Sequence, residues 1–144
     1  MTLPDKEEIA RALCSDKYDP TTGRLSTSLF KGPNTSVSRL AVIPLSDQWR
    51  KLAATVQKLP GRRLEKIGVI GVGQLRDIGA KYQANNKPAP VDIHVVAEPV
   101  ASNAAHALIQ EKLSDGLSNS INRALLQHPL PTGFDPETVP REIP

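Results

Sequence analysis

The chain holds one cysteine, Cys14, in 144 residues. No intrachain disulfide and no multi-cysteine zinc site can form, and a single thiol suits a reducing compartment. Aromatic residues are nearly as scarce: Trp49, Tyr18, Tyr82, Phe30 and Phe134 are the whole set. The core must therefore be aliphatic, and broad single-strand nucleic-acid binding by base stacking is disfavoured. No apolar run approaches the roughly 20 residues needed to span a bilayer. The opening stretch, MTLPDKEEIARAL, carries early acidic charge and no long apolar segment, unlike a secretory signal. A cytoplasmic, bacterial protein with no membrane association is expected. No GK[ST] follows a glycine loop and no GxSxG elbow occurs, so a Walker A loop and a hydrolase elbow are excluded. No cofactor is expected.

What is present fits one globular domain of ordinary size: 39% of residues are hydrophobic and 23% charged. The formal charge of +3 does not by itself imply nucleic acid. Its distribution is uneven, because Arg50, Lys51, Lys58, Arg62, Arg63 and Lys66 crowd one segment with few acidic neighbours. The 13 prolines also cluster, with Pro129, Pro131, Pro136, Pro140 and Pro144 at the end. Residues 1–128 read as a single α+β domain and 129–144 as an extended or disordered tail.

Pattern and punctuation place the elements. A short helix is expected over 4–14, where Ile9 and Leu13 are four apart behind acidic first-turn residues. LSTSLF at 25–30 alternates and reads as a strand, as do 36–43, 65–72, 91–97 and 105–110. Trp49, Leu52, Ala53, Val56 and Leu59 share one face of a helix over 46–59. Leu117, Ile121 and Leu125 do the same over 114–127. A further short helix near 74–83 and a loop over 84–90 complete the chain. The fold class is a small, mainly antiparallel sheet packed by two or three helices, with a Pro-rich C-terminal tail.

Several residues invite chemical readings. Asp92 and His94 project to one face of a strand, and a 91–111 hairpin would bring His106 onto the neighbouring strand. A His/His/carboxylate set suits zinc, iron or manganese, so these three are the candidate metal ligands. Gly68, Gly71 and Gly73 reverse the order of a dinucleotide fingerprint and read instead as a closely packed strand and bend. His128 reads as a helix C-terminal cap, and Cys14 as a small buried apolar residue. Arg39, alone among apolar strand residues, would pair with an internal carboxylate or bind an anion.

Two stretches carry a resemblance. Ser28 and Phe30, then Ser36, Val37 and Arg39, then Asn103, Ala105, His106 and Ala107 resemble short segments of a group of small uncharacterised bacterial proteins. Those proteins share a Ser-Val-x-Arg segment and an Asn-x-Ala-His-Ala segment and have no established activity. The resemblance covers about half the chain and singles out Arg39, Asn103 and His106 as candidate site residues alongside His94.

The function expected from the sequence is a small accessory protein that binds a protein partner, with Phe134, Val139 and Ile143 of the tail as anchors and catalysis less expected than not. One alternative is nucleic-acid binding through the basic 50–66 segment. A further alternative is a metal-dependent hydrolase or nuclease using His94 and His106.

Overall fold

A computed structural model describes residues 1–56 and 61–140. It contains an α+β fold with a six-stranded sheet and three helices. The sheet comprises β1 (Glu8–Cys14), β2 (Thr35–Arg39), β3 (Leu64–Gly71), β6 (Val95–Ala97), β7 (His106–Ile109) and β8 (Leu126–Pro129). Their order is β6-β7-β2-β1-β3-β8, and every neighbouring pair is antiparallel. Two-residue strands β4 (Gln83–Ala84) and β5 (Lys87–Pro88) make a separate small hairpin. The helices are α1 (Leu45–Val56), α2 (Val72–Ala80) and α3 (Asp115–Ala124).

The sheet divides two apolar cores. On one face, Ile9, Leu13, Val37, Ile70, Val95 and Ile109 meet α2 and α3 through Leu75, Leu117 and Ile121. On the other, Ala10, Leu64, Ile67 and Val69 meet α1 through Trp49, Leu52 and Ala53. The six expected helix core residues Trp49, Leu52, Val56, Leu117, Ile121 and Leu125 are all buried. α1 and α3, however, serve opposite faces rather than one shared core.

Several expected elements are corrected. Residues 8–14 are the strand β1, not a helix, and β1 lies between β2 and β3. Both of its faces are covered, Ile9 and Leu13 on one side and Ala10 on the other. The usual polar alternation is therefore missing, and Ile9 and Leu13 mimic a helical i, i+4 pair. The expected strand over 25–30 is a 3-10 turn, Thr27–Phe30, capped by Ser26. α3 grips that turn: Ser118 Oγ accepts from Phe30 N at 3.2 Å and donates to the Thr27 carbonyl at 2.5 Å. Ser118 is thus a fully buried hydroxyl with both roles satisfied. β2 stops at Arg39, and α1 begins at Leu45, one residue before Ser46. The last expected turn of that helix, with Lys58 and Leu59, lies outside the described residues. The 84–90 loop holds most of the β4–β5 hairpin, whose turn residues Asn85 and Asn86 have positive φ. α3 ends at Ala124, and His128 is not a helix cap but pairs with Ile67 in β8.

Beyond β8 the chain turns back over α1. Val139 is buried in the second core, and Leu130 and Phe134 pack against it.

The helix glycines are packing residues. A Cβ added at Gly79 in α2 would run into the Val91 carbonyl oxygen and lie 3.0 Å from the Ile93 side chain. Alanine at a helix position ordinarily gains about 1 kcal/mol over glycine. Here overpacking against backbone costs about 1–3 kcal/mol and wins. Gly79→Ala is expected to lower the unfolding free energy by about 1–2 kcal/mol in denaturant titration. A stabilised variant would contradict this packing.

Candidate functional site

β2 alternates cleanly. Val37 faces the first core, so Ser36 and Ser38 face the α1 side. The β2–β7 register sets Ser38 opposite His106 and Ser36 opposite Leu108. On its other edge β2 pairs with β1 only at Ile9↔Arg39 and Ala10↔Ser38. Beyond these two pairs the strands part. Arg11 spans the gap: Nη1 donates to the Ser36 carbonyl at 3.1 Å and Nη2 to the Leu29 carbonyl at 3.2 Å. The guanidinium takes the place of missing ladder bonds.

α1 leans on β1 and β3 and leaves the β2 side uncovered. Its Lys51 Nζ donates to the Ser102 carbonyl at 2.6 Å, tying the helix to the 98–106 turn. Between α1, the β1–β2 gap and this turn lies a cavity of about 320 Å³. Arg62, Ser36, Ser38, Thr55, Asn103 and His106 bring polar side chains to its lining, and Arg11 adjoins it where β1 passes. The size falls at the lower end of the small-molecule range, about 300–1,000 Å³. A larger depression of about 580 Å³ lies beside α2, but it is an open trough. Its arginine, Arg76, is already paired with Asp5 at 2.8 Å.

His106 is held from both ring nitrogens. Nδ1 lies 2.9 Å from the Glu98 carbonyl oxygen, and Nε2 lies 3.2 Å from Ser36 Oγ. A carbonyl can only accept, so in the neutral ring Nδ1 carries the proton. Nε2 then accepts the hydroxyl proton of Ser36. The Glu98 carboxylate stands 3.8 Å from Nδ1. Ser36 is exposed and His106 half-buried, so the pair is reachable from solvent.

Asn103 builds the corner that presents His106. Its Oδ1 accepts from Ala105 N at 3.0 Å, and its Nδ2 donates to Ser38 Oγ at 3.1 Å. His106 N donates to the Asn103 carbonyl at 3.2 Å. The SNAAHA turn is thus both a hydrogen-bonded corner and a cavity wall.

Arg39 does not join Asn103 and His106. It follows Ser38 and so points to the opposite face, where it makes a bidentate pair with Glu7 at 2.6 and 3.2 Å. Both side chains are well shielded, 17% and 6% exposed.

Asp92, His94 and His106 are not brought together either. The β6–β7 register sets His94 next to Val95↔Ile109, whereas His106 lies beyond Ala97↔Ala107. The two rings sit at opposite ends of the hairpin, about four residues or 13 Å apart along it. No group of three or more His, Cys, Asp or Glu able to hold a metal occurs among the described residues. His94 instead sits between Glu111, 2.7 Å from Nδ1, and Asp92, 3.3 Å from Nε2.

The basic segment is largely engaged within the chain. Arg62 pairs with Asp16 at 3.1 Å, Arg63 with Glu137 at 2.9 Å, and Lys66 lies over the Tyr18 ring at 5.4 Å. Arg50 lies on α1, lining a separate shallow depression, and Lys58 falls outside the described residues.

Electrostatics single out Arg11, a residue the sequence reading passed over. Burial lowers its pKa from the ordinary arginine value; the Arg62 charge reinforces this and the Asp16 carboxylate opposes it. No carboxylate pairs with it among the described residues, and its Nε is shut away from solvent without a partner. The signal in the sequence was a lone cation inside an apolar run, the argument that drew attention to Arg39. Cys14 also lines the cavity, but burial and then Asp16 push its thiol up to about 11. It is a thiol at neutral pH and a poor nucleophile.

No protein-family profile, curated protein or solved structure matches the chain. The site is therefore read from its geometry alone.

The His94 cluster has a pH consequence. Its hydrogen bond to Glu111, then the Asp92 charge, raise the His94 pKa above its ordinary value. A histidine raised on folding stabilises the fold fully below its unfolded pKa, and that contribution fades as pH climbs through the folded pKa. His94→Gln should therefore lower the melting temperature more at about pH 5.5 than at about pH 9, either side of the ordinary histidine value near 6.5. An equal or larger deficit at the alkaline pH would sink this assignment.

Proposed function

We propose that the protein binds a small anionic molecule in the cavity between α1, the β1–β2 gap and the 98–106 turn. The observation that carries the reading is the polar lining of that cavity, where the Ser36 and Ser38 hydroxyls and the His106 ring stand together with Arg62. Arg11 backs the β1–β2 gap from the other face of the sheet, bonded to the Ser36 and Leu29 carbonyls. Arg62, which Asp16 meets at 3.1 Å through Nε, brings a guanidinium to the lining, and the hydroxyls of Ser36 and Ser38 and the ring of His106 supply hydrogen-bonding groups. Carboxylate and phosphate groups both suit such a lining.

This reading is preferred to the alternatives drawn from the sequence. Two of the three tail anchors, Phe134 and Val139, already pack within the chain, and Ile143 lies outside the described residues. The basic segment spends Arg62, Arg63 and Lys66 on internal partners. The metal reading lacks a convergent ligand set among the described residues. No helix among the described residues is long and apolar enough to cross a membrane. A cytoplasmic setting is supported by the single cysteine.

Titration with inorganic phosphate and with succinate, followed by amide chemical shifts, tests the proposal. Resonances of Ser36, Asn103 and His106 should move and saturate. Arg62→Gln should weaken binding about tenfold, as expected for a lost charge-assisted contact. Unmoved resonances with both anions, or unchanged affinity in a folded Arg62→Gln, would defeat the reading.

A further inference from the structure

Within this cavity the contact between Ser36 and His106 goes beyond binding. We infer that Ser36 is a nucleophile and His106 its general base, acting on a small carboxylic ester that carries an anionic group. The inference rests on the anion-binding reading for its substrate class and on independent geometry for its chemistry.

Three features support it. The Ser36 Oγ to His106 Nε2 distance, 3.2 Å, is within the reach expected of a nucleophile and its base. The Glu98 carbonyl holds the Nδ1 proton at 2.9 Å, leaving the Nε2 lone pair for the hydroxyl. The Glu98 carboxylate stands 3.8 Å from Nδ1, on the side of the ring away from Ser36. Glu98 is thus a positioning residue. Ser36 has no other side-chain hydrogen bond among the described residues and is exposed on the cavity lining.

The steps balance without any group beyond ester and water. Ser36 Oγ bonds to the ester carbonyl carbon as its proton passes to His106 Nε2. The tetrahedral oxyanion forms inside the cavity, whose lining includes Arg62. It collapses by breaking the bond to the alcohol oxygen, which takes the proton from His106. Water then attacks the acyl group on Ser36, giving a proton to His106. The bond to Ser36 breaks, His106 returns the proton to Oγ, and the acid departs.

A fluorophosphonate probe tests this on the full chain, with peptide mass spectrometry to locate the label. The expected result is a label on Ser36, absent in Ser36→Ala. His106→Gln should slow labelling by about 100-fold or more, the usual contribution of a positioned base. Ser120→Ala, on the exposed side of α3, should label at the parent rate. No label at Ser36, or equal labelling in a folded His106→Gln, would overturn the inference. Phosphate titration of Ser36→Ala separates the two proposals. Binding without labelling of the parent removes only the chemistry; labelling without binding removes only the anion reading.

Discussion

The structure depends on the brevity of one strand pairing. β1 is bonded to β3 from Glu8↔Gly71 to Cys14↔Leu64, but to β2 only at Ile9↔Arg39 and Ala10↔Ser38. Where β1 and β2 part, carbonyls of β2 lose their ladder donors from β1. A buried unpaired backbone group costs about as much as a lost hydrogen bond. Arg11 answers this with two donors, to Ser36 and Leu29. The same gap opens the sheet toward α1, where the cavity lies.

The elements legible in the sequence were those with one wet face. α1 and α3 were readable because each buries a single stripe, Trp49 and Leu52 in one, Leu117 and Ile121 in the other. β3 and the β6–β7 hairpin were readable from their β-branched residues, although β6 begins only at Val95 and not at the expected Val91. β1 was not, because a strand covered on both sides loses the alternation that identifies strands, and its alanines look helical. The Thr27–Phe30 turn was misread for a related reason. Leu29 and Phe30 are both buried, and the turn is held by Ser118 and Asn122 of α3, roughly 90 residues later in sequence by the spacing of these bonds. Local pattern carries no trace of such partners.

The site was legible in part. The Asn-x-Ala-His-Ala segment drew attention to Asn103 and His106, and both line the cavity. The hydroxyls of the Ser-Val-x-Arg segment lie there too, while its arginine does not, because adjacent strand residues face opposite sides. The distance between His94 and His106 was hidden for want of register. Whether two histidines on paired strands meet depends on which residues lie opposite each other, and a one-residue shift changes every answer. Likewise, the Ser36–His106 contact joins strands 70 residues apart in sequence, which no spacing rule anticipates.

Two arginines on neighbouring strands share one face of the sheet and differ in how their charge is met. Arg39 is matched to Glu7 by a bidentate pair, so charge and donors are satisfied within the chain. Losing one partner of such a shielded pair would strand the other, which is why that end of the sheet is closed electrostatically as well as sterically. Arg11 has carbonyl acceptors but no carboxylate among the described residues, and its Nε has no partner at all. Carbonyl dipoles solvate a guanidinium only in part, and burial lowers its pKa accordingly. α1 deepens the asymmetry. Its Ala53 and Ala54 pack in the same core as Ala10, with Ala12 against it, which allows close approach over β1 and β3 and leaves the serines of β2 beyond the helix. Apolar packing thus draws cover away from the side of the sheet where the β2 hydroxyls and His106 stand, and this is why a cavity persists there.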